Sequence, residues 1–255
     1  MKVAITGANG NVGHQAVEAL SDHDVTPITH SETEEMDSEI ADVTDAERVS
    51  KVLSGHDAVV HLAANPDPDA DWEGVREVNV DGAYNVYEAA VENGLDRVVF
   101  ASSNHVSHMY NAADPAEPES MVEAPDVVDA DDPTRPDSYY GVSKVAGEAL
   151  GDYYADRHGL EVVNLRIGWL LEQEDLEETQ EDGEEHARYA RAMWLSPRDC
   201  RDAIESATTG NVEGSVAVNA VSANDDRYLS LTHAMRTIGY RPRDDSGEAL
   251  SRSTY

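Results

Sequence analysis

The stretch KVAITGANGNVG, residues 2–13, decides how this chain folds. Lys2 to Thr6 is a short, mostly apolar run that reads as a buried strand. Gly7, Gly10 and Gly13 follow at a spacing of three, and Asn11 to Leu20 then carries helical periodicity. Glycine lets the chain turn tightly and brings backbone N–H groups close to a ligand, while the helix start adds its positive dipole end. A strand, a glycine loop and a helix in that order predict a pyrophosphate cradle. Gly7, Asn9, Gly10, Asn11, Val12 and Gly13 are its expected contacts with a dinucleotide.

Working outward, the same alternation repeats. Strands are expected over Val25–Thr29, Asp57–Leu62, Arg97–Ala101 and Glu161–Arg166. Helices are expected over Asp45–Leu53, Trp72–Glu92 (stopped by Asn93-Gly94) and Asp137–His158 (stopped by Gly159). The tail reads as a helix over Ser196–Thr208, a strand over Ser215–Asn219 and a helix over Asp225–Ile238. The prediction is an α/β fold, a Rossmann doubly wound parallel sheet with a small C-terminal substrate-binding lobe. Residues 1–255 form one domain on this reading, with 1–168 mainly the nucleotide-binding core and 169–255 mainly the lobe. Two segments break the pattern. Tyr110–Arg135 looks like a surface insertion, and the acid-rich run Glu172–Glu185 like a solvated loop that could cover a substrate.

Composition excludes several classes. With 52 acidic and 18 basic side chains the formal charge is −34, which repels nucleic acid and anionic membranes. Three lysines (Lys2, Lys51 and Lys144) stand against fifteen arginines, and Phe100 is the only phenylalanine. That balance suits a very salty cytoplasm, where concentrated salt screens surface charges over a few ångströms. A single cysteine, Cys200, excludes an internal disulfide. No signal peptide and no long apolar run stand in the sequence, so a cytoplasmic protein is expected. Homo-oligomerisation is left open.

Ligands of such sheets lie beyond the carboxyl ends of the strands. Asp42 and Val43 are therefore expected beside the adenine, with Leu62, Ala63 and Ala64, followed by Asn65, along the cofactor. An acid at the end of the second strand would select NAD, and a basic residue NADP. Here that strand ends in Ile28-Thr29-His30-Ser31, with no acid and no Arg or Lys in its place, although Glu32 could reach over. NAD is favoured and NADP is not excluded.

Tyr140 and Lys144 stand at i and i+4 in the expected long helix, on one face. A free tyrosine ionises near pH 10, too high for a base at neutral pH, and a neighbouring ammonium favours its phenolate. Ser102, Ser103, Asn104 and His105 follow the fourth strand, where a hydroxyl could hold a substrate oxygen and Asn104 and His105 could hold sugar hydroxyls. His105 and His108 lack a third partner, so no metal is expected.

With these motifs the chain resembles the extended short-chain dehydrogenase/reductases, the NAD-dependent epimerase/dehydratase family, over nearly its whole length. The resemblance implies that Ser103 orients the substrate hydroxyl, that Tyr140 is the acid/base and that Lys144 binds the nicotinamide ribose. It also implies that Asn79 supports a water relay. The strings FASSNH (100–105), PDSYYGVSK (136–144), LRIG (165–168), MWLS (193–196) and VSANDD (221–226) are similar to the uronate dehydrogenase branch and its haloarchaeal glucose-6-phosphate dehydrogenase relatives. This implies oxidation of C1 of a pyranose, glucose 6-phosphate or a hexuronate, to a lactone. A C6 anion needs a cation, for which Arg188 and Arg191 are the candidates. Trp169 departs from the branch, which carries a small polar residue there, and it reshapes the expected sugar pocket. Two alternatives stay open: a nucleotide-sugar epimerase or dehydratase that returns its hydride, and a non-catalytic NAD-binding protein.

Overall fold

The computed structural model describes residues 1–252. Seven parallel strands form one sheet: β1 (Lys2–Thr6), β2 (Asp24–Thr29), β3 (Glu39–Ile40), β4 (Ala58–His61), β5 (Arg97–Ser103), β6 (Glu161–Ile167) and β9 (Ser215–Ala220). Their order is β3-β2-β1-β4-β5-β6-β9. The sheet runs outward both ways from β1 and β4, so its switch point lies at their carboxyl ends, where the glycine loop leaves β1.

Residues alternate between the two faces of each strand. Val3, Ile5, Val60 and Val99 belong to one apolar core, and Ala4, Val59, Val98 and Phe100 to the other. On the first face pack α1 (Asn11–Ala19) and α8 (Pro197–Thr209), through Ala16, Ala203, Ile204 and Ala207. On the second pack α2 (Ala46–Leu53), α4 (Gly82–Asn93) and α5 (Tyr139–His158), through Val49, Val86, Ala90 and Tyr154. Asp45 and Ser138 cap α2 and α5, each side chain accepting from a backbone N–H of the first turn, and so set their starts one or two residues after the expected ones.

A buried ion pair ties α5 to the sheet. Arg166 donates to both oxygens of Glu148 at 2.9 and 2.8 Å, and Ser102 Oγ donates to Glu148 Oε1 at 2.5 Å. The remaining Arg166 nitrogen donates to the Ala130 carbonyl at 3.0 Å, which clips the 110–135 segment onto β6.

Several expectations need correcting. β3 is a strand the periodicity does not show, two residues inside a polar stretch. The helix expected over Trp72–Glu92 is interrupted: α3 (Trp72–Val75) leads into a π-helical turn, Arg76–Asp81, before α4. The segment 110–135 is no mere surface insertion, since Asn111, Ser120, Met121, Val128 and Ala130 are buried. His108, just before the segment, bonds Tyr228 Oη at 2.6 Å and the Ser120 carbonyl at 2.8 Å.

The acidic run is helical rather than a loop. α6 (Gln173–Glu178) is followed by a 3₁₀ turn and α7 (Glu184–Met193), whose Ala187, Tyr189 and Ala190 face inward. The tail helix expected from Asp225 is only α9 (Thr232–Thr237), because Tyr228 and Leu229 run extended and Leu229 bridges Val128. A last helix, α10 (Ser246–Arg252), packs its Ala249 beside α6. Beyond residue 168 the chain also supplies β9, the last strand of the sheet, and α8, which packs on its first face. A separate two-stranded parallel ribbon pairs β7 (Trp169–Leu170) with β8 (Trp194–Leu195).

Candidate active site

One cleft of about 670 Å³ runs across the carboxyl ends of the strands. Gly7, Asn9, Gly10, Asn11, Val12 and Gly13 line one wall. Gly7 has φ +69°, the left-handed region open to glycine, and swings the chain from β1 towards α1. A Cβ on Gly13 would stand 2.3 Å from the Gly7 carbonyl oxygen, so the turn closes only without one. Gly10 caps α1 with no side-chain bond, so the first N–H groups of that helix keep no side-chain partner. An open helix start above a glycine turn fits a pyrophosphate, and the cleft extends from it in both directions as a dinucleotide requires.

At one end lie Thr29, His30, Ser31, Asp42 and Val43. Thr44 donates to Asp42 Oδ1 through its backbone N–H at 2.9 Å and its hydroxyl at 2.8 Å, and these bonds hold the carboxyl below its ordinary pKa. His30 Nε2 stands 3.4 Å from Asp42 Oδ2. Glu32 is exposed and does not line the cleft. Leu62, Ala63 and Ala64 line the middle, where Thr6 Oγ1 accepts from the N–H groups of Leu62 and Ala63 at 3.2 and 3.3 Å. Asn65 does not line it.

At the other end Ser103, Asn104, His105, Tyr140, Lys144, Trp169 and Tyr189 come together. Lys144 is buried and donates from Nζ to the Ala101 carbonyl at 2.8 Å. Its Nζ stands 5.5 Å from the centre of the Tyr140 ring. Burial pulls Lys144 down to about 8 and pushes Tyr140 up to about 12, with the Ser103 hydroxyl pulling Tyr140 the other way and Asp137 pushing it further up. Burial, the largest effect on Tyr140, works against the phenolate that the i, i+4 spacing favours.

A polar chain fixes the surrounding side chains. Asp137 Oδ2 accepts from His105 Nδ1 at 2.8 Å, which leaves Nε2 as the acceptor, 3.2 Å from Tyr189 Oη. Asn104 Nδ2 donates to the same hydroxyl at 2.7 Å. Tyr189 is therefore part of the site although sequence reasoning passed over it, hidden between Arg188 and Arg191 in an acid-rich segment. Glu119 lines the same end and was also missed, one acid among many in the segment after β5.

Two groups of expected residues lie elsewhere. Asn79 is buried outside the cleft lining, in the π-helical turn; its Oδ1 accepts from Asn65 N at 2.7 Å and its Nδ2 donates to Asn65 O and Ser143 Oγ, both at 3.0 Å. Arg188 donates to the Met121 carbonyl at 2.7 Å and faces Glu184 at 3.6 Å. Arg191 bonds Asp226 at 3.0 Å and Gln180 at 2.8 Å, with Glu184 at 3.4 Å. Neither arginine lines the cleft, which contains no arginine at all among the described residues. The cation expected for a C6 anion is therefore not there.

Comparison with known proteins agrees with this architecture. The sequence model of the NAD dependent epimerase/dehydratase family matches residues 3–182. The chain is 61% identical to an L-arabinose 1-dehydrogenase (NAD(P)(+)) of Haloferax volcanii, over 98% of this chain and 99% of that one. It is 36% identical to an NAD-dependent glucose-6-phosphate dehydrogenase of the same organism, over 96% of this chain and 94% of that one. A mutant uronate dehydrogenase of Agrobacterium tumefaciens solved with NAD superposes with a TM-score of 0.78 at 27% identity, over 99% of this chain and 88% of that one. The matched profile, the full-length relatives and the parallel sheet with its glycine turn agree, and the chain belongs to the NAD-dependent epimerase/dehydratase family, the extended short-chain dehydrogenase/reductases.

Proposed function

We propose that this protein oxidises the C1 hydroxyl of a neutral aldopyranose, a pentose such as L-arabinose, to the lactone with NAD or NADP. The observation that carries the reading is the sugar end of the cleft, where neither Arg188 nor Arg191 is present to hold a phosphate or carboxylate. The full-length relative that is 61% identical supports a neutral pentose as well. Glucose 6-phosphate and the hexuronates are thereby disfavoured.

A nicotinamide cofactor held in the cleft would supply the acceptor for the C1 hydride. The residues of the chain handle the proton. Ser103 holds the C1 oxygen, and Tyr140 Oη takes the hydroxyl proton as the C1–O bond becomes a carbonyl. Lys144 stabilises the phenolate while it exists and would hold the cofactor ribose. Asn104, His105 and Tyr189 present one acceptor and a set of donors to the other sugar hydroxyls, held in place by Asp137. With no acid and no Arg or Lys at the end of β2, dual use of NAD and NADP is expected. Asn79 acts by position, bracing the Asn65 loop against α5.

The decisive assay is reduction of NAD and NADP by purified protein in molar KCl, with L-arabinose, other neutral aldoses, glucose 6-phosphate, glucuronate, galacturonate and a UDP-sugar. Net reduced cofactor with neutral pentoses is expected. Its absence with every free sugar, or conversion of the UDP-sugar without net reduction, would overturn the reading.

A further inference from the structure

The sugar end of the cleft opens into a second hollow of about 650 Å³. Pro68 and Glu119 line both spaces, so Glu119 stands at the doorway between them. The outer hollow carries Asp69, Glu117, Asp182, Glu184 and Glu185, with His186. Across the doorway Trp169 packs edge-on against His186, with ring centres 5.4 Å apart, and tilted against Tyr189 at 5.8 Å. Trp169 and Tyr189 thus line the reaction cleft together with Glu119, and His186 lines the outer hollow with it.

Glu119 differs from the other polar groups around the sugar end. Asn104, His105 and Tyr189 bond one another, and Asp137 holds His105. Glu119 is half-buried and makes no hydrogen bond or ion pair with any described residue. Burial raises its pKa, as do Asp69 and Asp137, while His105 and His186 pull the other way. A carboxylate without a partner in a narrow cleft costs desolvation free energy unless a ligand supplies donors.

We propose that Glu119 is a specificity-determining residue that selects neutral sugars. Its oxygens accept from substrate hydroxyls remote from C1, and its charge rejects sugars carrying a carboxylate or phosphate. The inference rests on the aldose dehydrogenase reading and deepens it, since it assigns the rejection of anionic sugars to a repulsive group as well as to a missing cation. The acids of the outer hollow extend the same field, but Glu119 alone among them touches the reaction cleft.

The test compares wild type with Glu119→Gln, Glu119→Asp and Glu117→Gln, using NAD with L-arabinose and D-galacturonate. Glu119→Gln keeps the shape and loses the charge. It is expected to raise KM for L-arabinose about tenfold with kcat little changed, as the loss of a charge-assisted hydrogen bond implies. The ratio of kcat/KM for arabinose over galacturonate is expected to fall on the order of 100-fold, since a unit charge a few ångströms away is removed. Glu119→Asp retains the wild-type preference, and Glu117→Gln, which lines only the outer hollow, changes the ratio less than about twofold by the modest reach of screened charges. Titration with NADH confirms that each variant still binds cofactor. Wild-type turnover of L-arabinose with an unchanged ratio in Glu119→Gln overturns this inference and leaves the proposed function standing. No turnover of any neutral aldose by wild type overturns both.

Discussion

Gly13 shows how tightly a single residue can bind sequence to chemistry. An added methyl group would lie 2.3 Å from the Gly7 carbonyl oxygen and 2.5 Å from that of Ala8, both main-chain atoms that cannot rotate away. Gly13→Ala is expected to destabilise the fold by about 1–3 kcal/mol, the usual cost of overpacking, and to weaken NADH binding at least tenfold by opening the cradle. Thermal melts and NADH fluorescence titration check the two effects separately. Tyr140 gives a prediction in pH. Its proton must be lost for it to act as a base, so oxidation accelerates as pH rises. Lys144, lowered to about 8, loses the charge that helps it above that point. The profile of kcat/KM should therefore climb from pH 6 and bend above about 8, and Lys144→Met should move the climb upward. Tyr140→Phe should cost kcat about 10³-fold, the common worth of a positioned acid/base, while cofactor binding persists. Near-normal turnover in that variant would remove Tyr140 from the mechanism. That Ser103, Tyr140 and Lys144 line the cleft was legible, the first from its place after a strand and the other two from an i, i+4 pair in a lysine-poor chain. Glu119 and Tyr189 were not, because what distinguishes them is distant company, which spacing does not encode.

Between residues and the whole lie the elements, and here the Glu148–Arg166 pair is the most exposed to test. Both side chains are buried, and Arg166 joins β6, α5 and the 110–135 segment at once. Glu148→Ala leaves an uncompensated guanidinium and should cost about 3–5 kcal/mol. The double variant Glu148→Leu, Arg166→Met should be less destabilised than Glu148→Ala, because it removes both charges together. Urea unfolding midpoints decide this, and a double variant as unstable as the single would refute the account. The regular strands and helices of the sheet could be read from sequence because burial on one face imposes a period. β3 could not, with two residues too few for a period, nor could the π-helical turn, whose i to i+5 bonding leaves no mark in side-chain spacing. The acidic run misled for another reason. Its charge is conspicuous, yet Leu176, Ala187, Tyr189 and Ala190 supply the stripe that folds it into helices.

At the scale of the whole molecule the charge of −34 dominates. The Debye length falls from about 10 Å at 0.1 M salt to about 3 Å at 1 M, which quenches repulsion between surface acids. The midpoint of thermal unfolding is expected to rise by on the order of 10 °C between 0.1 and 2 M KCl, which corresponds to a few kcal/mol for a domain of this size. A midpoint that does not move would count against adaptation to salt. No helix among the described residues is long and apolar enough to cross a membrane. The cleft itself is assembled from two sources. Residues 7–64 line the end with the glycine turn, whereas Glu119, Trp169 and Tyr189 at the other end come from the excursion after β5 and the chain beyond β6. Mutations that retune the diet of such an enzyme can thus accumulate in one half while the other keeps its coenzyme. A lineage built on this chassis can change its sugars by descent without passing through a form that has lost its redox partner.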